Sequence, residues 1–243
     1  MLELKSEKLS ISVDPQEGLR LKSFKIGGQE RLATRSALPF VVGPHFGKRN
    51  PKLLGHEDPY PNGLAAYAPW EAELRGEELV ATLKSDESTA EKQGFGFYLS
   101  LKMKILDQSI DIQLDTTSEE EGLAGVLFPF ASGKGTLLTD SKKLVYREAE
   151  LVPLPSVFQE RSSEELEADL SQPFATPLYP RLDPLKGHLQ TDAIQLEAHF
   201  PSQESSLYVQ NEGGVLWMGG MTAQNPDRPT LTASSLRINV SGI

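Results

Sequence analysis

Cysteine is absent from this 243-residue chain. Thiolate nucleophiles, thiolate zinc sites and dithiol redox chemistry go with it, leaving carboxylates, hydroxyls, lysines and four histidines for any chemistry. Aromatic residues make up only 7% of the chain, with two tryptophans, so every large ring has to be accounted for. No apolar run reaches the roughly 18 residues of a membrane-spanning helix. The opening Met1-Leu2-Glu3-Leu4-Lys5-Ser6-Glu7 lacks the basic and then apolar halves of a secretion signal. The expectation is a cytoplasmic protein in which the Asn239-Val240-Ser241 sequon goes unused. Positive charge is also scarce: 24 Lys and Arg against 34 Asp and Glu give a formal net charge of −10. Such a surface repels phosphate backbones and anionic headgroups, so neither nucleic acid nor a membrane is an expected partner.

What the chain does have is alternation. Leu9, Ile11 and Val13 alternate with polar residues, and Leu19, Leu21, Phe24 and Ile26 follow before the Gly27-Gly28 turn. The strongest signal runs through Leu99, Leu101, Met103 and Ile105, then Ile110, Ile112 and Leu114, with Leu106-Asp107-Gln108-Ser109 between them. That pattern predicts a β-hairpin with one wet face. Further strands are expected at 144–152, 193–200, 207–210, 215–218 and 236–240. A helix is expected only at 162–170, where Ser162 and Glu165 form a capping box and Leu166 and Leu170 lie four apart. The expected fold class is therefore all-β, as one domain over residues 1–243, a length that large sandwiches reach as single units.

Two proline-rich connectors, 39–69 and 153–184, interrupt the alternation. Long structureless connections in a folded unit tend to be binding loops. The first is the better candidate, because His45, His56, Lys48, Arg49 and several rings are concentrated there. Familiar catalytic signatures fail. Gly133-Lys134-Gly135-Thr136 lacks the first glycine of a phosphate loop, and there is no Gly-x-Ser-x-Gly elbow. His56-Glu57 has no second histidine four residues after the first, so no zincin site is formed. A carboxylate pair for glycoside hydrolysis stays open, since the fold and not the spacing brings such pairs together.

Read in order, the chain resembles the aldose 1-epimerase (galactose mutarotase-like) family. Gly18-Leu19-Arg20-Leu21-Lys22-Ser23-Phe24 followed by Gly27-Gly28 is similar to that family's opening strand and turn. Phe46-Gly47-Lys48-Arg49-Asn50 resembles its arginine-bearing segment. Asn62-Gly63-Leu64-Ala65 before Pro69-Trp70-Glu71 resembles a His-Gly element followed by a Trp-Glu strand. Gly125-Val126-Leu127-Phe128-Pro129-Phe130 resembles its Gly-Phe-His-Pro-Tyr-Phe motif, and Gly219-Gly220-Met221-Thr222 its Glu-Pro-Met-Thr stretch. The resemblance implies a β-supersandwich with at most one or two short helices, a sugar as ligand, and neither metal nor other cofactor.

The departures fall on the chemistry. Members of the family are thought to open a pyranose with a glutamate that takes the anomeric proton and a histidine that protonates the ring oxygen, a general base and acid on opposite sides of one ring. Aligned by proline, the histidine falls on Phe128; aligned by glycine, it falls on Leu127. The glutamate falls on Gly219 or Gly220, and the second histidine on Asn62, which can hydrogen-bond but not titrate near neutrality. The resemblance thus implies a sugar-binding set of Arg49, Asn62, Trp70, Phe128, Asp192 and Gln224. The site is expected to be built from the 39–69 connector, a turn at 127–130 and a loop at 219–225, with Trp70 just after the connector and Asp192 standing in for the family's hydroxyl-holding aspartate. His56 and His45 are either relocated acid/base candidates or solvated loop histidines, and Trp70 is either a stacking ring or core. The leading expectation is a protein, monomer or homodimer, that binds a hexose or derivatised pyranose without turning it over. An active isomerase using His56 or His45, and a structural or interaction module, are the alternatives.

Overall fold

Alternation becomes strands throughout the computed structural model, which describes residues 1–33, 39–44, 60, 62–93, 95–119, 122–131, 135–147, 150–179, 185–191, 195–200, 205–224 and 232–241. In chain order the strands begin β1 (Leu2–Lys5), β2 (Leu9–Asp14), β3 (Arg20–Ile26), β4 (Gln29–Glu30), β5 (Val41–Val42), β6 (Glu71–Arg75) and β7 (Glu78–Lys84). Then come β8 (Phe97–Leu106), β9 (Ser109–Ser118), β10 (Gly122–Ala131), β11 (Gly135–Thr139), β12 (Leu144–Arg147), β13 (Glu150–Pro153) and β14 (Phe158–Glu160). The last are β15 (Leu166–Asp169), β16 (Phe174–Leu178), β17 (Leu185–Thr191), β18 (Gln195–Phe200), β19 (Ser205–Glu212), β20 (Val215–Gln224) and β21 (Thr232–Ser241). They assemble into a ten-stranded sheet ordered β14-β15-β11-β17-β18-β21-β9-β8-β7-β6 and a five-stranded sheet ordered β16-β19-β20-β10-β5. A four-stranded sheet, β1-β2-β3-β4, and the hairpin β12-β13 complete the fold.

The β8–β9 hairpin falls where alternation places it, with Asp107-Gln108 as its turn. Leu99, Leu101, Met103, Ile105, Ile110, Ile112 and Leu114 are all buried, while the intervening Lys102 and Lys104 are exposed. On the wet face, Arg237 of β21 grips Asp111 of β9 through two hydrogen bonds of 2.6 and 2.8 Å. The principal core joins the dry face of this sheet to the five-stranded and four-stranded sheets. Its centre is aromatic: Phe128 packs edge-on against Phe24 and Phe40, both at 5.4 Å between ring centroids, and stacks on Phe130 at 5.3 Å.

Several expectations are corrected. Residues 162–170 are not helical: Ser162 Oγ accepts from the Glu164 and Glu165 amides to make a turn, and Leu166–Asp169 is a strand between β11 and β14. Leu166 and Leu170 are indeed four apart, but Ala168 between them is buried too, which is period two. The one α-helix among the described residues is α1 (Glu87–Gln93), preceded by a reciprocal cap in which Thr89 N donates to Asp86 Oδ1 and Asp86 N to Thr89 Oγ1. The second connector contains β14, β15 and β16, and the expected strand at 144–152 is folded back into β12 and β13. Among the described residues no helix is long and apolar enough to cross a membrane.

Candidate functional site

The register of β10 against β20 places the residues of two of the motifs side by side. Gly125 lies opposite Met221, Leu127 opposite Gly219, Phe128 opposite Met218, and Pro129 opposite Trp217. Neither stretch is a turn or a loop: 127–130 is the interior of β10, and Gly219 to Gln224 continues β20. Period two sorts the side chains. Val126, Phe128, Phe130, Leu216 and Met218 enter the principal core. Leu127 and Met221 join Val42 and the half-buried Tyr208 in a separate cluster, and Val215 and Trp217 join Ala33 in another. These two clusters mark a second face of the five-stranded sheet, and Leu127 and Gly219 meet on it as direct partners. Phe128, fully buried among three phenyl rings, points the other way and presents nothing to a ligand.

Gly219 has no room for any side chain. A Cβ there would sit 1.6 Å from the Val126 carbonyl oxygen and 2.8 Å from Leu127 Cα. Gly125 is similar, its Cβ falling 2.4 Å from the Gly220 carbonyl oxygen. Glycine thus extends β20 where a glycine pair would ordinarily end a strand, because the β10 backbone occupies the space beside it. A carboxylate cannot be carried at this position, and the position facing it is an aliphatic side chain, fully buried.

Beside this face, at Pro129, opens a groove of about 840 Å³. Pro39, Phe40, Ala66 and Tyr67 of the first connector form one wall. Gln16, Glu17, Arg20, Lys22 and Glu30 form the other, over an apolar floor that includes Leu21, Leu32 and Ala33. The polar wall was not foreseen. Its residues look like the wet side of an amphipathic strand, and the sequence carries no sign that the connector folds back over them.

Local chemistry explains how the walls meet. Asp14 accepts from Gln16 N at 3.1 Å, capping a 3₁₀ turn at Pro15–Glu17 that ends with Gly18 at φ 65°. A Cβ on Gly18 would strike the Ala66 carbonyl oxygen at 2.1 Å, so only glycine lets the 3₁₀ turn Leu64–Ala66 lie against it. Trp70 locks the contact by donating its backbone N–H to Pro15 O and its indole N–H to Ala65 O. At 2% exposure Trp70 is a strut and not a stacking surface. Asn62 accepts from Gly43 N through its carbonyl, next to β5, and its amide donates to the Tyr67 hydroxyl at 3.3 Å. Tyr67, 46% exposed and tilted against Tyr60, is the ring that does face the groove.

Charge on the polar wall is largely self-neutralised. Lys22 Nζ lies 2.7 Å from Glu17 and 3.7 Å from Asp14, and Arg20 lies 3.7 Å from the same Glu17 oxygen. Glu30 accepts from Ser23 Oγ, Phe24 N and Leu32 N. Burial pushes its carboxyl upward, but these hydrogen bonds together outweigh that and hold it below the ordinary glutamate range. Of the remaining residues expected at the site, Gln224 ends β20 opposite Gly122. His45, Arg49, His56 and Asp192 lie outside the described residues.

Sheets in this order define a galactose mutarotase-like fold. A galactose mutarotase-like protein from Lactobacillus casei superposes over 99% of this chain and 100% of its own, with a TM-score of 0.72 and 12% identity. A candidate aldose 1-epimerase from Escherichia coli K12 matches over 99% and 98%, with a TM-score of 0.72 and 10% identity. A galactose mutarotase-like protein from Clostridium acetobutylicum matches over 99% and 95%, with a TM-score of 0.66 and 11% identity. By sequence, no family model and no curated protein matches the chain.

Proposed function

We propose that the chain is a single carbohydrate-binding unit that holds a hexose or derivatised pyranose in the groove beside Pro129 and does not catalyse its mutarotation. The observation that carries this reading is the pairing of Leu127 with Gly219 on the second face of the five-stranded sheet. Opening a pyranose requires a base at the anomeric hydroxyl and an acid at the ring oxygen, each worth about a hundred to ten thousand fold in rate. An isobutyl group and a hydrogen supply neither. Binding needs less. The groove volume lies within the range of small-molecule sites. Tyr67 offers a ring face for the apolar side of a sugar, and Gln16, Glu17, Arg20 and Lys22 offer donors and acceptors for its hydroxyls.

Ligand-detected NMR against a panel of monosaccharides and disaccharides tests this. Saturating transfer to at least one pyranose is expected, and Tyr67→Ala should weaken it by about 1 kcal/mol, roughly fivefold in Kd. If no sugar in the panel saturates, the groove is not a sugar site and the chain is an interaction module. Polarimetry on fresh α-D-glucose and α-D-galactose addresses turnover, where the expected result is the uncatalysed rate at high protein concentration. A protein-dependent acceleration would reject binding without catalysis and direct attention to His45 and His56.

A further inference from the structure

Of the four described charged residues that line the groove, Glu17, Arg20 and Lys22 are held in ion pairs and Glu30 is not. Two cations, Arg20 and Lys22, face two carboxylates, Glu17 and Asp14, through contacts of 2.7 to 3.7 Å. Glu30 lines the same groove but is held by neutral donors: the Ser23 hydroxyl and the backbone amides of Phe24 and Leu32, with the Arg31 amide beside them. Lys25 is its register partner across β3 and β4, yet among the described residues no ion pair joins Glu30 to Lys25 or to any other cation. One oxygen takes the Phe24 and Leu32 amides and the other takes the Ser23 hydroxyl, on an exposed residue of the groove wall. This is an ionised carboxylate held in place by its own strand and turn, in a chain whose net charge is already −10.

We infer that the groove discriminates among sugars by charge, favouring a pyranose that carries an ammonium group, an amino sugar, over its neutral parent and rejecting phosphorylated or uronic forms. The inference rests on the proposed carbohydrate reading and names the ligand class within it. An ammonium group brings three donors and a positive charge to the Glu30 carboxylate, whereas a phosphate brings about two negative charges to a wall whose two cations, Arg20 and Lys22, are already paired. The Arg20 and Lys22 pairs would have to open before either could receive an anion.

The experiment is an NMR titration of the full chain with D-glucosamine, D-glucose and D-glucose 6-phosphate at pH 6.5, in low salt and in 0.5 M NaCl. Glucosamine should bind about two- to fivefold more tightly than glucose in low salt, the size of a solvent-exposed ion pair, with glucose 6-phosphate weakest. The preference should shrink in high salt and disappear in Glu30→Gln, which keeps a carbonyl acceptor for the Phe24 and Leu32 amides. Salt dependence in the unsubstituted protein reads the same interaction if that variant folds poorly. Equal binding of glucose and glucosamine, or tightest binding of the phosphate, would overturn the inference while leaving the carbohydrate reading intact. Failure of all three sugars to bind would remove both.

Discussion

Phe128 separates two accounts of the same motif, and replacing it with alanine measures which is right. If the side chain were a sugar contact, Phe128→Ala would weaken ligand binding and leave the fold nearly untouched. The structure places it instead at 0% exposure, with rings at 5.4, 5.4 and 5.3 Å around it. Truncating a core phenylalanine costs about 3–5 kcal/mol, part transfer and part cavity. Each well-oriented ring pair adds roughly 0.5–1.5 kcal/mol beyond buried area, and Phe24, Phe40 and Phe130 all lose one here. The expected loss is therefore about 5 kcal/mol, comparable with the whole stability of many domains. Urea unfolding followed by the fluorescence of Trp70 and Trp217, both buried, should show it as a midpoint lowered by about 2 M for a slope near 2.5 kcal/mol/M. Leu127→Ala should cost less, about 2–3 kcal/mol, because its cluster holds only Val42, Met221 and part of Tyr208. A cost below about 1.5 kcal/mol for Phe128→Ala, or a larger cost for Leu127→Ala, would mean that β10 is displaced by one residue and its faces are exchanged.

Two further outcomes follow from local geometry. Gly219→Ala should destabilise by about 3 kcal/mol or more, since its Cβ meets backbone that cannot swing aside, whereas Gly213→Ala, at φ 59° with open space around it, should cost about 1 kcal/mol; equal melting temperatures for the two would refute the close approach of β10 and β20. Glu30 has a folded-state pKa below its ordinary 4.5, so its stabilising contribution is present above that pH and is lost as pH falls through the folded-state value. Glu30→Gln should therefore flatten the stability profile below pH 4.5, and acid limbs of the same slope in both proteins would show that its hydrogen bonds do not act.

Most of the architecture was legible because period two is a strong signal when one face is wet. The β8–β9 hairpin and its turn could be read directly, with only the far end of β9 extending four residues past Leu114, since Lys102, Lys104, Asp111 and Gln113 alternate with eight buried apolar partners or neighbours across the pair. Where the signal shortens it becomes ambiguous. Leu166 and Leu170 satisfy a helix and a strand equally, and only the small Ala168 between them distinguishes the two; its modest hydrophobicity hides the alternation. Proline misled in the other direction. Prolines 155, 173 and 177 made 153–184 look like a connector, but Pro177 sits inside β16, which is the edge of its sheet, where a missing N–H is tolerated.

The site was less legible, and for a reason specific to glycine and to facing. Motif spacing could bring the family's histidine to residue 127 or 128 but could not say which of the two faces a ligand, because that depends on the partner strand. Once β20 is in register, Phe128 supports the core that holds the sheet in shape, and Leu127 opposes Gly219 on the other face. The two faces therefore draw on alternate residues of one strand and can vary independently. Val126, Phe128 and Phe130 pack the core face, so a stable sheet places no demand on residue 127 beyond an apolar fit. Leu127→His would bury an imidazole beside Val42 and Met221 with no carboxylate able to occupy position 219, which favours the neutral ring. The backbone contact at Gly219, more than the identity of any side chain, is what keeps an acidic group from this position of the sheet.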